Sequence, residues 1–97
     1  MNMNQILKQA QAMQKDMMKA QEEVAKMTFT SIKEWVTVEV NGNRQVTKVT
    51  LSEDIDTDDI EMLEDMIMIA TNDALAQAEA EMEKRLGKYS KGMPGLF

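Results

Sequence analysis

The chain has 97 residues and a formal net charge of −6, with no cysteine and no histidine. This length makes one small domain, and the missing residue types exclude disulfides, thiolate chemistry and the commonest metal ligand and general base. The sequence shows neither a signal-peptide core nor an apolar run of the ~18 residues that span a membrane, so we expect an intracellular protein, cytoplasmic if the cell is bacterial.

A first helix is predicted over residues 4–27. Apolar residues recur along it at alternating spacings of three and four, which is the heptad pattern of a helix packed against another helix. This seam consists of Met3, Ile6, Ala10, Met13, Met17, Ala20, Val24 and Met27. Four lysines fall on the opposite side of the helix, and they are Lys8, Lys15, Lys19 and Lys26. The seam predicts assembly, and the lysines indicate, more weakly, contact with an anionic partner.

Strands are expected next. Residues 28–31 contain β-branched and aromatic types, which favours a short edge strand. Residues 35–40 alternate with period two, and Asn41-Gly42 is a strong hairpin signal because both residues tolerate positive φ. Residues 44–51 are predicted to form the return strand. The chain therefore contains a small antiparallel sheet between two helices.

A second helix is predicted from about residue 58 to about residue 86. Asp56, Thr57 and Asp58 are all competent N-caps. The main apolar stripe consists of Ile60, Leu63, Ile67, Ala70, Ala74 and Ala78. Residues 86–97 include three glycines and the only proline, which predicts a loose C-terminal tail to a single domain that spans residues 1–97.

The lengths of these elements predict a homodimer. At 1.5 Å per residue the helices reach about 36 Å and about 43 Å, whereas strands of this length reach only about 25 Å. A small sheet cannot cover both helices, so the overhanging seams are predicted to pair with a second copy in a symmetric dimer. The predicted interface residues are Ala10, Met13, Met17, Val24, Leu63, Ile67, Ala70 and Ala74.

Charge is unevenly distributed along the chain. Residues 1–52 carry seven basic and five acidic side chains, and residues 53–65 carry eight acids and no base. Residues 84–97 carry four basic side chains and no acid, among them Lys84, Arg85 and Lys88. These cations are explained equally well by helix termination, where they complement the helix dipole, and by contact with an anionic partner.

Several segments resemble a known family in their order and spacing. They are residues 8–14 (KQAQAMQ), 36–42 (VTVEVNG), 62–65 (MLED), 72–74 (NDA) and 92–95 (GMPG). Together they resemble the YbaB/EbfC family of bacterial nucleoid-associated DNA-binding proteins over nearly the whole chain. The resemblance implies an α+β protomer of order α-β-β-β-α, a tweezer-shaped homodimer and binding to double-stranded DNA. Residues 28–35, where the family usually has glycines, contain none.

The lysine stripe has two interpretations. It is either a solvated helix face or a surface that neutralises DNA phosphates without reading the sequence. The resemblance favours DNA contact, with candidates Lys8, Lys15, Lys19, Lys26, Lys84, Arg85 and Lys88. The first helix also carries glutamines suited to base readout, although glutamine is an ordinary helix former too; these are Gln5, Gln9, Gln11 and Gln14.

The remaining motifs favour structural roles. Residues 54–65 imitate a calcium loop only loosely, and acids at a helix N-terminus explain them better. Asn72 and Asp73 are expected to make buried hydrogen bonds across the dimer or to cap a neighbouring element. No residues assemble a catalytic constellation, so we expect no enzyme, cofactor, metal or small-molecule substrate. The leading interpretation is a DNA-binding protein of the nucleoid, and the alternative is a Met-rich assembly or chaperone-like module that binds proteins.

Overall fold

The computed structural model describes residues 2–92, and the side-chain environments of residues 2–89. The chain order is α1 (Met3–Ala25), β1 (Thr28–Lys33), β2 (Val36–Asn41), β3 (Val46–Leu51) and α2 (Ile60–Gly92). This order confirms the predicted α-β-β-β-α protomer and its α+β class. The molecule is elongated, 70 Å long and 21 Å by 13 Å across, because the two helices are much longer than the strands.

The three strands form one antiparallel sheet in the order β1-β2-β3. A two-residue turn joins β1 to β2, and its first residue, Glu34, has a left-handed φ of 49°. Alternate residues of the central strand, Val36, Val38 and Val40, have no exposed surface. The period-two pattern of the sequence therefore marks the face of the sheet that is covered by helix.

Helix α2 covers β1 and β2 with a stripe that repeats every four residues. The stripe is buried and consists of Met66, Ala70, Ala74 and Ala78. Alanine lets the helix lie close to the sheet because its side chain is a single methyl group. Every residue of β3, by contrast, is exposed. We call the sheet together with residues 60–78 of α2 the sheet end of the molecule.

Helix α1 packs antiparallel against the second half of α2. Glu23 lies beside Arg85, with Oε2 3.4 Å from Nη1, and Lys19 shares a groove with Lys88 and Tyr89. With this offset, roughly three N-terminal turns of α1 extend beyond the described end of α2. We call α1 and residues 82–92 of α2 the helical arm.

The helix ends differ from the predicted ones. Asn2 caps α1 through Oδ1, which accepts a hydrogen bond from Gln5 N at 2.9 Å. Asp59, rather than one of the three residues before it, caps α2 by accepting from Met62 N at 3.1 Å. Helix α2 continues to Gly92, past the predicted end near residue 86, because one glycine inside a helix costs only about 1 kcal/mol. Residues 93–97 of the predicted tail lie outside the described residues.

The seam of α1 packs differently from the expectation. Met3 and Ile6 are exposed, the middle of the seam is half-buried, and Val24 has no exposed surface. The C-terminal half of the seam thus packs within its own protomer, against α2 and the sheet. A second copy is not needed to cover that half of the seam, because α2 and the sheet of the same protomer already cover it.

Candidate nucleic-acid interface

The lysines of α1 form an open basic stripe. Lys8, Lys15, Lys19 and Lys26 are all exposed. None of the four belongs to an ion pair among the described residues, whose ion pairs involve only Lys33 and Arg85 as cations. A rise of 1.5 Å per residue spreads the four ammonium groups over about 27 Å of helix. The stripe therefore presents unpaired positive charge on a rigid support.

Two of the candidate glutamines lie beside this stripe. Gln11 and Gln14 line a shallow depression on α1 together with Lys15 and Lys19, and Met18 and Glu22 complete its lining. Amide side chains next to lysines would be well placed to meet a base edge if those lysines contacted phosphates. The structure thus groups the polar candidates with the basic ones on one helix surface.

Arg85 does not match its predicted role. Its Nε donates to Glu81 Oε1 at 2.9 Å and its Nη1 to Glu23 Oε2 at 3.4 Å, while Nη2 lies 3.9 Å from Met27 Sδ. Two carboxylates already neutralise this guanidinium, which is half-buried. Arg85 therefore joins α2 to α1. Its charge is already paired and is less available to a phosphate than the charge of the exposed Lys84.

The antiparallel arm brings the two basic groups of the sequence together. Lys19 of α1 and Lys88 of α2 line one groove, of about 300 Å³, together with Asp16, Ala20, Glu23, Arg85 and Tyr89. The Lys88 Nζ lies 5.1 Å from the centre of the Tyr89 ring, a cation–π distance. Basic residues from opposite ends of the chain thus share one surface, although Asp16 and Glu23 reduce its net charge.

The acidic residues lie at the other end of the molecule. Residues 53–65, with eight acids, precede α2 and form its first turns. From Asp59 to Lys88 the helix rises about 44 Å, which is several times the screening length of about 8 Å at physiological salt. The overall charge of −6 is therefore a poor guide to the potential around the helical arm.

Polar contacts fix α2 on β1. Gln77 Nε2 donates to Thr30 O at 3.1 Å and to Asp73 Oδ2 at 3.3 Å, and Lys33 Nζ lies 3.9 Å from that same oxygen. The hydroxyl group of Ser31 is buried and has no hydrogen-bond partner by ordinary geometric criteria among the described residues. It nevertheless makes the largest contribution to lowering the pKa of the Asp73 carboxyl group. Gln77 and Lys33 lower this pKa further, against an opposing contribution from desolvation.

The residues Asn72 and Asp73 therefore have different environments. Asp73 is half-buried and takes part in these tertiary contacts, whereas Asn72 is exposed. Within one protomer Asn72 makes no side-chain hydrogen bond among the described residues, so its expected bond across the dimer stays a prediction. Helix geometry explains the difference, because adjacent residues point about 100° apart and only one of the two faces β1.

The predicted dimer-interface residues fall into two sets. Val24, Ala70 and Ala74 have no exposed surface within one protomer, so they belong to its own core and offer no contact area to a second copy. The accessible set is half-buried apart from the exposed Ile67, and it consists of Ala10, Met13, Met17, Leu63 and Ile67. Of the predicted interface residues, this second set is the one that remains accessible for assembly.

Sequence reasoning did not include three apolar residues of β3 in the interface. Val46, Val49 and Leu51 are 44–49% exposed. In the antiparallel register Val49 lies opposite Val38 and Leu51 opposite Val36, so these side chains point to the face that α2 covers elsewhere. Strand alternation predicted Val49 and Leu51 on one face and Val46 on the other. A register shift between Glu39 and Val40 instead places Val46 opposite the buried Val40.

The acidic segment before α2 has a local structural role. Asp56 Oδ1 accepts from Asp58 N at 3.0 Å, and Asp59 caps the helix. Within residues 2–92 there is no group of three or more acidic side chains placed to hold a metal ion. No helix in the same part of the chain is long and apolar enough to cross a membrane.

Comparison with known proteins gives a family and a fold. The model of the YbaB/EbfC DNA-binding family matches residues 1–93. A nucleoid-associated protein of Lactococcus lactis is 46% identical over 97 residues, which cover 97% of this chain and 98% of the relative. One of Enterococcus faecalis is 43% identical over 98 residues, with 98% and 94% covered. The crystal structure of the uncharacterized protein HP0035 from Helicobacter pylori superimposes with a TM-score of 0.73 at 20% identity, covering 92% of this chain and 97% of that one.

Proposed function

The chain belongs to the YbaB/EbfC DNA-binding family, and on that basis we propose that it is a non-enzymatic, nucleoid-associated protein that binds double-stranded DNA as a homodimer. The observation that carries this proposal is the stripe of four exposed, unpaired lysines on α1. The names of the relatives support a location at the nucleoid, in the cytoplasm, and a role in nucleoid organisation or gene regulation.

Phosphate contact is the mechanism that this stripe favours. An ammonium group is a compact point charge with no preferred base edge, so a row of lysines binds the DNA backbone and releases its counterions. Lys84 and Lys88 extend the same mechanism to the second helix of the arm. Affinity then depends on salt, with a log–log slope of about −0.9 for each phosphate neutralised.

The open face of β3 supports the homodimer. Val46, Val49 and Leu51 form an apolar surface that no element within residues 2–92 covers. Ile67 and Asp73 project from α2 on either side of Ala70. Because Asp73 contacts β1, Ile67 projects towards β3. An isologous contact through this face would bury it twice and leave both helical arms projecting.

A duplex titration tests the proposal. Labelled DNA is titrated with the wild-type protein and with the Lys8→Glu/Lys15→Glu/Lys19→Glu variant at several salt concentrations. We expect steep salt dependence for the wild type and nearly complete loss of binding for the variant. Circular dichroism and sedimentation should show that the variant keeps its fold and its dimer, because the three lysines point away from the seam. Wild-type affinity in a folded variant would show that the stripe is only a solvated face.

Exposed methionines favour a second candidate, a chaperone-like module that binds proteins. Met3, Met18 and Met68 are 69%, 55% and 56% exposed, and flexible thioether side chains suit adaptable apolar contacts. In this case the exposed methionines of the arm and of the sheet end would bind an apolar client, and the same titration would show DNA affinity unaffected by the triple variant.

A further inference from the structure

The tip of the β2–β3 hairpin is held by a compact set of hydrogen bonds. Asn41 N donates to Gln45 O at 3.0 Å, and Arg44 N donates to Asn41 O at 3.1 Å. The side-chain oxygen of Asn41 accepts from Asn43 N at 2.9 Å and from Gln45 N at 3.1 Å. Four bonds across so few residues leave the tip little freedom to rearrange.

This tip also rests directly against the end of α1. Gly42 is buried, and a Cβ atom placed on it would overlap the carbonyl group of Val24 and lie 2.8 Å from Ala25 N. The hairpin therefore meets the last turn of α1 at the seam residue Val24 and at Ala25, which directly precedes Lys26, the last lysine of the stripe. Whatever follows Gly42 at the tip is placed rigidly with respect to that stripe.

Arg44 occupies this tip in an unusual conformation. Its φ is 62°, in the left-handed region that glycine and asparagine adopt far more readily. The side chain is exposed. Glu79 and Glu83 line the same hollow of about 290 Å³, yet Arg44 forms no ion pair among the described residues. The turn thus carries an arginine without an ion pair among the described residues, at a backbone cost.

We propose that Arg44 is a further phosphate contact, which adds an exposed cation on the hairpin, at the C-terminal end of α1, to the lysines of that helix. The inference rests on the proposed function, since it assumes that duplex DNA binds along α1. A guanidinium is suited to this position because its planar fork binds a phosphate with two parallel hydrogen bonds. A rigid turn fixes the backbone position of Arg44 relative to α1 before binding, so that only its side chain must be ordered on contact.

Replacement by glycine separates a structural role from a binding role. Arg44→Gly removes the side chain and also relieves the left-handed backbone, so the melting temperature should rise. Duplex affinity should nevertheless fall, by about three- to tenfold, and the magnitude of the salt slope should decrease by about 0.9, as expected for one lost phosphate contact. Arg44→Lys should keep the slope but lose part of the affinity, because the charge remains and the fork does not.

Glu34→Gly is the matched control. Glu34 has a φ of 49° in the turn between β1 and β2, at the opposite end of the sheet from Gly42, so its replacement should also raise the melting temperature. It removes an acid from a turn outside the stripe, and we expect the DNA affinity and salt slope to stay at the wild-type values.

The outcomes separate the two proposals. If the lysine triple variant loses binding while Arg44→Gly keeps wild-type affinity and slope, the role of Arg44 is overturned and the proposed function stands. If Arg44→Gly and Glu34→Gly weaken binding equally, the effect belongs to turn rigidity and the contact is again overturned. A wild-type protein that does not bind duplex DNA overturns both.

Discussion

The sheet end and the helical arm are built by different chemistry. At the sheet end a stripe of alanines closes over three fully buried valines of β2, and the adjoining segment is rich in acids. In the arm the seam is only half-buried, and a guanidinium between Glu23 and Glu81 joins the helices. The exposed surface of the arm carries the lysines. The sheet end thus provides the core and an apolar face. The helical arm provides positive charge, far from the acids of residues 53–65.

This difference shows how an acidic protein can have a basic working surface. The two regions are connected by α2, which is about 50 Å long, and salt screens charges over a much shorter range. The arm can therefore attract phosphates while residues 53–65 repel them elsewhere. A global property such as net charge averages over regions that never act on the same ligand.

The largest effect of a single change is expected where the two regions meet. Gly42→Ala places a methyl group into the backbone of Val24 and Ala25, so the hairpin and α1 must move apart. We expect the free energy of unfolding to fall by about 3 kcal/mol, as for severe overpacking. Urea unfolding followed by circular dichroism measures this change. A variant as stable as the wild type would show that the hairpin does not fix the position of the arm.

A charge on the open face of β3 is expected to separate the dimer. Val49→Asp places a carboxylate in the proposed apolar contact twice, once from each copy, and should raise the dimer dissociation constant at least about 100-fold. Thr50→Asp is the control, because Thr50 lies opposite Thr37, on the other face of the sheet. Sedimentation at several concentrations distinguishes the two. Equal behaviour of both variants would exclude this face as the interface.

Most of the sheet end could be predicted from sequence. The alternation of residues 36–40 and the Asn41-Gly42 dipeptide indicated β2 and its turn, because period-two patterning and turn residues are local signals. The first strand was expected to end at residue 31, but it extends to Lys33. Its last residues lie at an edge where both faces are partly exposed, so no apolar alternation marks them.

The candidate site was less predictable than the fold. The stripe of α1 was located correctly on an exposed helix face, since helical periodicity fixes which residues are opposite a seam. The ion pair between Arg85 and Glu23 was not predictable, because it depends on how α1 and α2 are offset along their axes. Arg44 was missed for a similar reason, since only the three-dimensional contact of Gly42 with Val24 brings the hairpin to the C-terminal end of α1.

A pair of equal charge changes tests whether position matters more than net charge. Lys15→Glu and Lys48→Glu alter the total charge equally, but Lys15 is on the arm and Lys48 is on β3, opposite Glu39. We expect Lys15→Glu to reduce duplex affinity about tenfold at low salt and Lys48→Glu to leave it nearly unchanged. Fluorescence anisotropy provides the measurement. Equal losses would mean that the protein acts on DNA through its overall field.

A glycine in the arm provides the counterpart to Gly42. At Gly87, inside α2, an added Cβ would meet no heavy atom within 4 Å. Gly87→Ala should therefore raise the free energy of unfolding by roughly 0.5–1 kcal/mol through helix propensity alone. The change in the free energy of unfolding is expected to have opposite signs at the two glycines. Gly42 is closely packed against the end of α1, whereas Gly87 faces open space in the arm. A loss of stability at Gly87 would show that the arm is packed more tightly there than the contacts indicate.

The smallest effect is expected from the carboxyl group that joins α2 to β1. Because the pKa of Asp73 is lowered in the folded state, its contribution to stability is present above the unfolded-state pKa of about 3.9. That contribution is lost as the pH falls through the lower folded-state pKa. The stability advantage of the wild type over Asp73→Asn should thus be visible at neutral pH and shrink below about pH 4. Asp65→Asn is the control, since Asp65 is exposed on the same helix without a hydrogen bond or ion pair among the described residues. Urea unfolding at several pH values measures both variants. If the wild type stayed more stable than Asp73→Asn by the same amount in acid, the charge of Asp73 would not contribute to stability. The role of this side chain would then lie in its shape and packing between α2 and β1.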